Sequence, residues 1–343
     1  MAFFTTEAVQ EYENNRSWSL HVQVLVGLII TMIGLVNIVT NVCTILSFAT
    51  DRKLRIVANY YIVNLAATDL IVGISSLPFY AVYTILQWYW PFGYTFCKIW
   101  SVLDFWVCAE SSLTIILISQ DRLAMVRKGP RYRICETPKK ALWKIGISWL
   151  LAFLLYGPAI IGYDVWRGYS TVAADDCDVE FASDFWYTLI TSTIEFVTPF
   201  LVITVFNVML YLNIRRRVKL HPVNIVHGET EASKMIIRRD KKAATNLALL
   251  VLVYFICWLP YVISTVIIAV CDTCVGEDLY EFFNWLLWLN SSLNCFLYAL
   301  TNERLRRNYR KWFCWACHVY RRHVDSNVVS LNDANSESVF TVS

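Results

Sequence analysis

The sequence predicts an all-α membrane protein: a seven-transmembrane helix bundle with a short amphipathic cytoplasmic helix after the last span. Three observations predict it. The 343 residues are 57% hydrophobic and 15% aromatic but only 17% charged, which leaves too little polar surface for a water-soluble globule. Seven apolar runs are each long enough to cross roughly 30 Å of hydrocarbon at about 1.5 Å per helical residue. The basic residues crowd into alternate loops, as expected of a bundle whose Lys and Arg stay on the cytoplasmic side.

In chain order the runs cover about 24–48, 60–86, 96–120, 141–163, 185–212, 243–270 and 279–300. An odd number of spans puts the termini on opposite sides. Residues 122–144 hold eight Lys or Arg and 215–242 hold nine; Arg52, Lys53 and Arg55 fill the first loop on that side, and the tail after Thr301 adds seven. The opposite side has only Arg16, Lys98 and Arg167. Residues 1–22 are therefore expected to form an extracellular tail, 23–301 the seven-span domain, and 302–343 a cytoplasmic amphipathic helix and tail. The net charge of +3 is then a topology signal, and a nucleic-acid partner has no support.

The first span begins too late, behind too acidic a leader, to be a cleaved signal peptide. Asn15, in Asn-Arg-Ser, is a glycosylation sequon on the outer tail; the same pattern at Asn290 falls inside the seventh span and is set aside. The cysteines sort by side, because the outer face is oxidising and the cytoplasm reducing. Cys97, at the outer start of the third span, and Cys177, in the acidic loop 164–184, both lie outside, so a disulfide would tie that loop over the bundle. Cys271 and Cys274, in CDTC, lack two further zinc ligands nearby and read as a second disulfide. Cys314 and Cys317, in the basic and aromatic stretch RNYRKWFCWAC, suit palmitoylation at the inner leaflet or free thiols. No metal centre is expected.

A charge at mid-membrane costs at least a few kcal/mol, so each one asks for a function or a partner. Four stand inside spans: Asp69, Asp104, Glu110 and Glu195. No span interior holds a Lys or Arg to pair with them. Asp104, seven residues inward of Cys97 and so about 10 Å down the helix, is protonated, metal-bound or awaiting a cationic ligand. The third reading suits its depth best. Trp258, Tyr261, Trp285 and Trp288 stand at a depth where they would wrap an ammonium group or simply pack. Asp69 with Ser111, Asn290 and Asn294 offers an oxygen-rich cage for an allosteric sodium ion, or a protonated acid in a hydrogen-bond network. Glu110 falls off the Asp104 face and reads as partly lipid-facing or interhelical. Arg122, eighteen residues past Asp104 and about 27 Å along the axis, reaches the cytoplasmic end. Asp121 is expected to hold it locally and Asp240 to hold it across the bundle, a clasp that a distant ligand can bias.

Together these residues resemble the rhodopsin-like (class A) G-protein-coupled receptors over nearly the whole chain. The matches are Asn41 in TNVCTIL, Asp69 in NLAATDL, Cys97, Asp121-Arg122, Trp149 in SWLLAF, Pro199, Cys257-Trp258-Leu259-Pro260, and Asn294 with Tyr298. Asp104 and CWLPY resemble the aminergic receptors, which implies that Asp104 binds a protonated amine. IEFVTPFLVITVFNVMLYLNI and FNWLLWLNSSLN resemble the third and fourth histamine receptor subtypes, with Glu195 and Trp288 at their characteristic positions. The resemblance implies histamine as ligand, Asp104 holding its amine and Glu195 its imidazole, Tyr298 with Arg122 in the switch, and inhibitory Gi/Go proteins as partners in the plasma membrane. Four features depart from the pattern. Asp121-Arg122-Leu123 replaces Asp-Arg-Tyr, Cys295 replaces the proline of Asn-Pro-x-x-Tyr, the inner loop 214–240 is short, and Phe105 replaces a tyrosine.

A muscarinic acetylcholine-like receptor, a receptor for another amine and a constitutively active orphan are the neighbouring readings. A quaternary ammonium gains nothing from Glu195, having no proton to give it. A retinal-type proton pump needs a lysine in the last span, and none lies between Lys242 and Lys311. A transporter would show inverted repeats, which seven spans do not give. No enzymatic chemistry and no further cofactor are expected.

Overall fold

The computed structural model describes residues 18–220, 231–312 and 314, with 174, 183 and 272 left aside. Seven long helices cross the molecule: α1 (Leu20–Thr50), α2 (Val57–Ile85), α3 (Tyr94–Lys128), α4 (Pro138–Arg167), α5 (Phe185–Ser192, a π turn Thr193–Val197, then Thr198–Leu220), α6 (Glu231–Ile268) and α7 (Glu277–Thr301). An eighth helix, α8, covers 303–312. The first six are long and apolar enough to cross a membrane on composition alone. The seventh helix has the length but spends it on polar positions, among them Asn284, Asn290 and Asn294. Leu28, Met32, Leu150, Leu154, Leu201 and Phe282 point outward from the bundle, each more than half exposed, as expected of side chains that meet lipid.

Two prolines re-route the backbone where it matters. Pro78 and Pro199 each lack an N–H, so the carbonyl four residues earlier has no helical donor. Those carbonyls, Ile74 and Glu195, lie in the two π turns, Val72–Ser76 and Thr193–Val197. At the second, the Tyr254 hydroxyl of α6 donates to the orphaned Glu195 carbonyl at 3.4 Å and to Ser112 of α3 at 3.1 Å. The turn that frees this carbonyl also carries the Glu195 side chain.

Polar side chains bolt the bundle together internally, since no water reaches these groups to satisfy them. Glu110 takes the interhelical of its two expected placements: it is fully buried and faces neither lipid nor solvent. Its Oε1 accepts from Asn64 of α2 at 2.7 Å, Thr114 at 3.0 Å and Ser148 of α4 at 2.9 Å. Trp149 of α4 closes the ring by donating to Asn64 at 2.9 Å. Glu110→Ala would remove the acceptor that three buried donors share, at about 1–3 kcal/mol for a donor left unpaired, with Asn64 and Ser148 keeping second acceptors in Thr114 and the Ile145 carbonyl, whereas Glu110→Gln keeps the accepting oxygen. The Ala variant is expected to lower the thermal midpoint in detergent by several degrees and the Gln variant to stay near wild type. Equal midpoints would remove the bolt.

At the basic end, Leu305 and Tyr309 of α8 are buried while Arg304, Arg307, Arg310 and Lys311 are exposed, the amphipathic pattern expected of this segment. Asn302 caps it through the Arg304 and Leu305 amides, and Arg304 pairs with Asp51 at 3.0 Å. Cys314 is exposed; Cys317 and Asn15 lie outside the described residues.

Candidate functional site

The end of the bundle opposite α8 carries the segment 168–184. A disulfide ties its Cys177 to Cys97 at the start of α3, and a second disulfide joins Cys271 to Cys274, as the cysteine sorting expects. Val179 and Phe181 plug the segment into an apolar cluster with Tyr156, Ala159 and Ile160 of α4. Glu180 staples it, accepting from Ser170 at 2.5 Å and from the Thr171 amide at 2.8 Å. Burial pushes the Glu180 carboxyl up, but the donors from Ser170, Thr171 and Tyr94 outweigh it and hold the group below its ordinary range.

Under this lid is a cavity of about 190 Å³. Asp104, Glu195, Trp258, Tyr261 and Trp288 all line it, so four helices deliver the five residues singled out from the sequence to one space. Asp104 is nine-tenths buried, and its Oδ1 has no hydrogen-bond partner among the described residues. The indole N–H of Trp258 is likewise buried without a partner among the described residues, while the Ser76 hydroxyl and the Trp288 indole N–H face Asp104. Buried polar groups nearly always find a partner in protein or water, so the free Asp104 oxygen has capacity for one more hydrogen bond. Trp285 does not line the cavity; it packs behind Trp288 and Tyr80, with ring centroids 5.3 and 5.6 Å away.

Glu195 is close enough to Asp104 for the two charges to act on each other. One oxygen of Glu195 accepts the hydroxyl of Tyr156 from α4. Tyr156 packs at a tilt against Phe105, centroids 5.0 Å apart. The Tyr156 hydroxyl thus stands beside Phe105 from another helix.

Deeper in the bundle, Asn294 donates to Asp69 Oδ2 at 3.0 Å and Asn37 to the Asp69 carbonyl at 3.0 Å. Asp69 Oδ1, Asn290 Oδ1 and Asn294 Oδ1 are buried without geometric partners, a set of hard oxygens that fits a small hard cation. Ser111 is buried but bonds none of them; Ser291 is the hydroxyl facing Asp69. Cys295, in place of the family's proline, leaves α7 uninterrupted and donates its thiol to Asn41. At the basic end, the charge of Arg122 acts on Asp121, but the two form no close pair. Neighbouring helical residues diverge, and Asp121 instead accepts the Tyr132 hydroxyl at 2.5 Å, with no ion pair to Arg122 within 4.0 Å. The Asp240 side chain lies outside the described residues, and Tyr298 is buried.

With this geometry in place, the family comparison is decisive: the model of the 7 transmembrane receptor (rhodopsin family) matches residues 40–298, three quarters of the chain. The chain belongs to that family. This receptor is 26% identical to the histamine H4 receptor of Homo sapiens across 86% of its own length and 93% of that protein's. It is 31% identical to the histamine H2 receptor of Rattus norvegicus across 86% and 81%. It is also 33% identical to the muscarinic acetylcholine receptor M5 of Homo sapiens, but there the match spans 61% of the receptor and 39% of the relative. A receptor of this family is no enzyme, and its long apolar helices make it a multi-pass membrane protein.

Sequence reasoning missed several residues of the receptor's cavity: Tyr80 and Tyr83 of α2, Trp100 of α3, Asn284 and Glu281 of α7, and Tyr156 behind Glu195. A tyrosine inside an apolar run carries no periodic signal, since its ring suits lipid, core and pocket alike. Glu281 was within reach. It is an acid at the start of a span, the same anomaly that exposed Glu195.

Proposed function

We propose that the receptor is activated by a biogenic amine, with histamine as the best-fitting ligand, at the plasma membrane. The observation that carries this reading is Asp104, a buried carboxylate with an unpartnered oxygen and no Lys, Arg or His within 4.0 Å among the described residues, in the cavity that Glu195 also lines. An isolated charge in such a place is expensive, and a ligand ammonium group relieves it. Histamine adds an imidazole for Glu195, held in place by Tyr156. The charge partition supports the cavity mouth as the outer face and α8 as cytoplasmic, with Asn15 glycosylated outside and Cys314 and Cys317 acylated inside. The orphaned oxygens around Asp69 support a resident sodium ion. The output is nucleotide exchange in a heterotrimeric G protein of the inhibitory Gi/Go class, which opens onto Arg122 when α6 swings from it.

The likeness to a muscarinic receptor favours acetylcholine as the second reading. Glu195 separates the two. Glu195→Gln is expected to cut histamine potency by about 10- to 100-fold, as removal of one charged hydrogen-bond partner does. The check is a G-protein activation assay with histamine and acetylcholine on both forms. If acetylcholine activates and the substitution changes nothing, histamine is excluded.

A further inference from the structure

We propose that the Cys295 thiol is the node of a latch that couples α8 to the interior of the bundle, so that α8 leaves α1 only when α7 loosens with it. The latch lies toward the α8 end of the receptor and stands whichever amine the cavity takes.

Cys295 is fully buried on α7, and three hydroxyls face its sulfur, those of Thr40 and Thr44 on α1 and Tyr309 on α8. Its own proton goes to Asn41 Oδ1. The Asn41 amide donates in turn to the Asn37 carbonyl at 3.0 Å and to Asn37 Oδ1, and the Asn37 amide donates to the Asp69 carbonyl of α2 at 3.0 Å. On the other side, Thr44 stands 3.7 Å from the sulfur. Its hydroxyl gives its proton to the Thr40 carbonyl at 3.0 Å, which leaves its oxygen to accept the Tyr309 hydroxyl. Four helices, α1, α2, α7 and α8, thus meet in one run of buried polar groups, with the sulfur between its two arms.

The inner hold on α8 outweighs the outer one. Arg304–Asp51, at 3.0 Å, is a solvent-facing pair of the kind that contributes little. Asn41 and Thr44 are 0% and 1% exposed, and a polar group there that loses its partner finds no water to replace it. Moving α7 enough to free the thiol from Asn41 also withdraws the atom that Thr44 and Tyr309 face, so both arms loosen together. A proline at this position could not act in this way. It has no polar side-chain atom, and it would free the Ser291 carbonyl four residues earlier. Asn294, the residue before Cys295, holds Asp69 at 3.0 Å, so consecutive residues pin α7 to α2 and to α1. Bonds that belong to one packing of the helices favour it over any packing in which α7 is displaced, and the latch thereby restrains ligand-free signalling.

The test follows amide hydrogen exchange of α8 in the purified full-length receptor in detergent, together with ligand-free nucleotide exchange on an added heterotrimeric Gi protein. Cys295→Ala removes the donor and Tyr309→Phe removes only the hydroxyl; each is expected to speed α8 exchange about fivefold, as loss of one buried hydrogen bond does. Cys295→Ser keeps a donor and should stay within about twofold of wild type. The Ala/Phe double variant should be at most about twofold faster than the faster single variant, since both break one latch. Effects that multiply to about 25-fold would show separate contacts and overturn the latch, as would single variants that leave α8 unchanged or a Ser variant as fast as Ala. Cys295→Ala should also raise ligand-free nucleotide exchange about threefold, with Cys295→Ser at the wild-type rate. A merely structural loss lowers every output instead, so a rate unchanged or lowered overturns the restraint. Tyr309→Phe, which keeps its buried ring, decides both readouts if Cys295→Ala does not express. The α8 readout needs neither ligand nor G protein, so its failure is distinct from failure of the amine reading.

Discussion

Replacing Asp104 by Asn is expected to lower the potency of amine agonists by at least about 100-fold, because breaking a buried charge pair costs roughly 3–5 kcal/mol. Asn matches Asp in size and can keep the neighbourly contacts of Ser76 and Trp288, so the helix packing should survive. Desolvation makes the effect large. The carboxylate sits at 9% exposure with one oxygen unpartnered, so a ligand ammonium group meets little competition from water. Competition binding and G-protein nucleotide exchange measure it, with surface expression as the control for folding. A shift below about tenfold, worth under 1.4 kcal/mol, would remove Asp104 from the role of counter-ion.

The double replacement Cys97→Ser/Cys177→Ser is expected to have the second-largest effect, since losing a native disulfide costs about 2–5 kcal/mol. The bond closes a segment of 80 residues and anchors the lid between Glu180 and the cavity wall. Asp176, Cys177, Asp178 and Val179 all line the cavity, so freeing Cys177 moves one wall of the site. Glu180 and the Trp90 amide, which donates to Asp175 at 2.8 Å, still hold the ends of the lid. Binding should therefore weaken by at least about tenfold while the seven helices persist. Ligand affinity together with circular dichroism separates the two outcomes. Wild-type affinity in the variant would show that the lid shapes nothing.

The seven spans, the amphipathic helix after the last of them and both disulfides were legible in the sequence because they follow from rules on length, charge pattern and cysteine placement. The α7 helix shows where such rules thin out. Its asparagines keep it out of the set of helices apolar enough to cross a membrane on composition alone, yet Asn294 faces Asp69 and Asn284 lines the cavity, so they do not meet lipid. Glu110 was left between two placements for a related reason. A face assigned from Asp104 alone misses that α3 is surrounded, with 61% of its most apolar stretch buried, so residues off the pocket face point into α2 and α4. Asp104 and Glu195 could be found because an acid in an apolar run is rare. Tyr156, Tyr80 and Tyr83, equally part of the site, could not, because their ordinary composition hides a placement that only the fold creates.

The Tyr254 hydroxyl, bound at once to α3 and to the broken turn of α5, makes a fulcrum of α6. Tyr261 stands seven residues to one side (261 − 254) and Glu231 twenty-three to the other (254 − 231). At about 1.5 Å per residue these are arms of roughly 10 and 35 Å. Were α6 to turn as one rod about this point, drawing Tyr261 by about 1 Å would swing the far end by about 3 Å, and Pro260, between the two tyrosines, is where that rod can bend. In that geometry a small closure at the cavity would become a larger displacement of the opposite helix end.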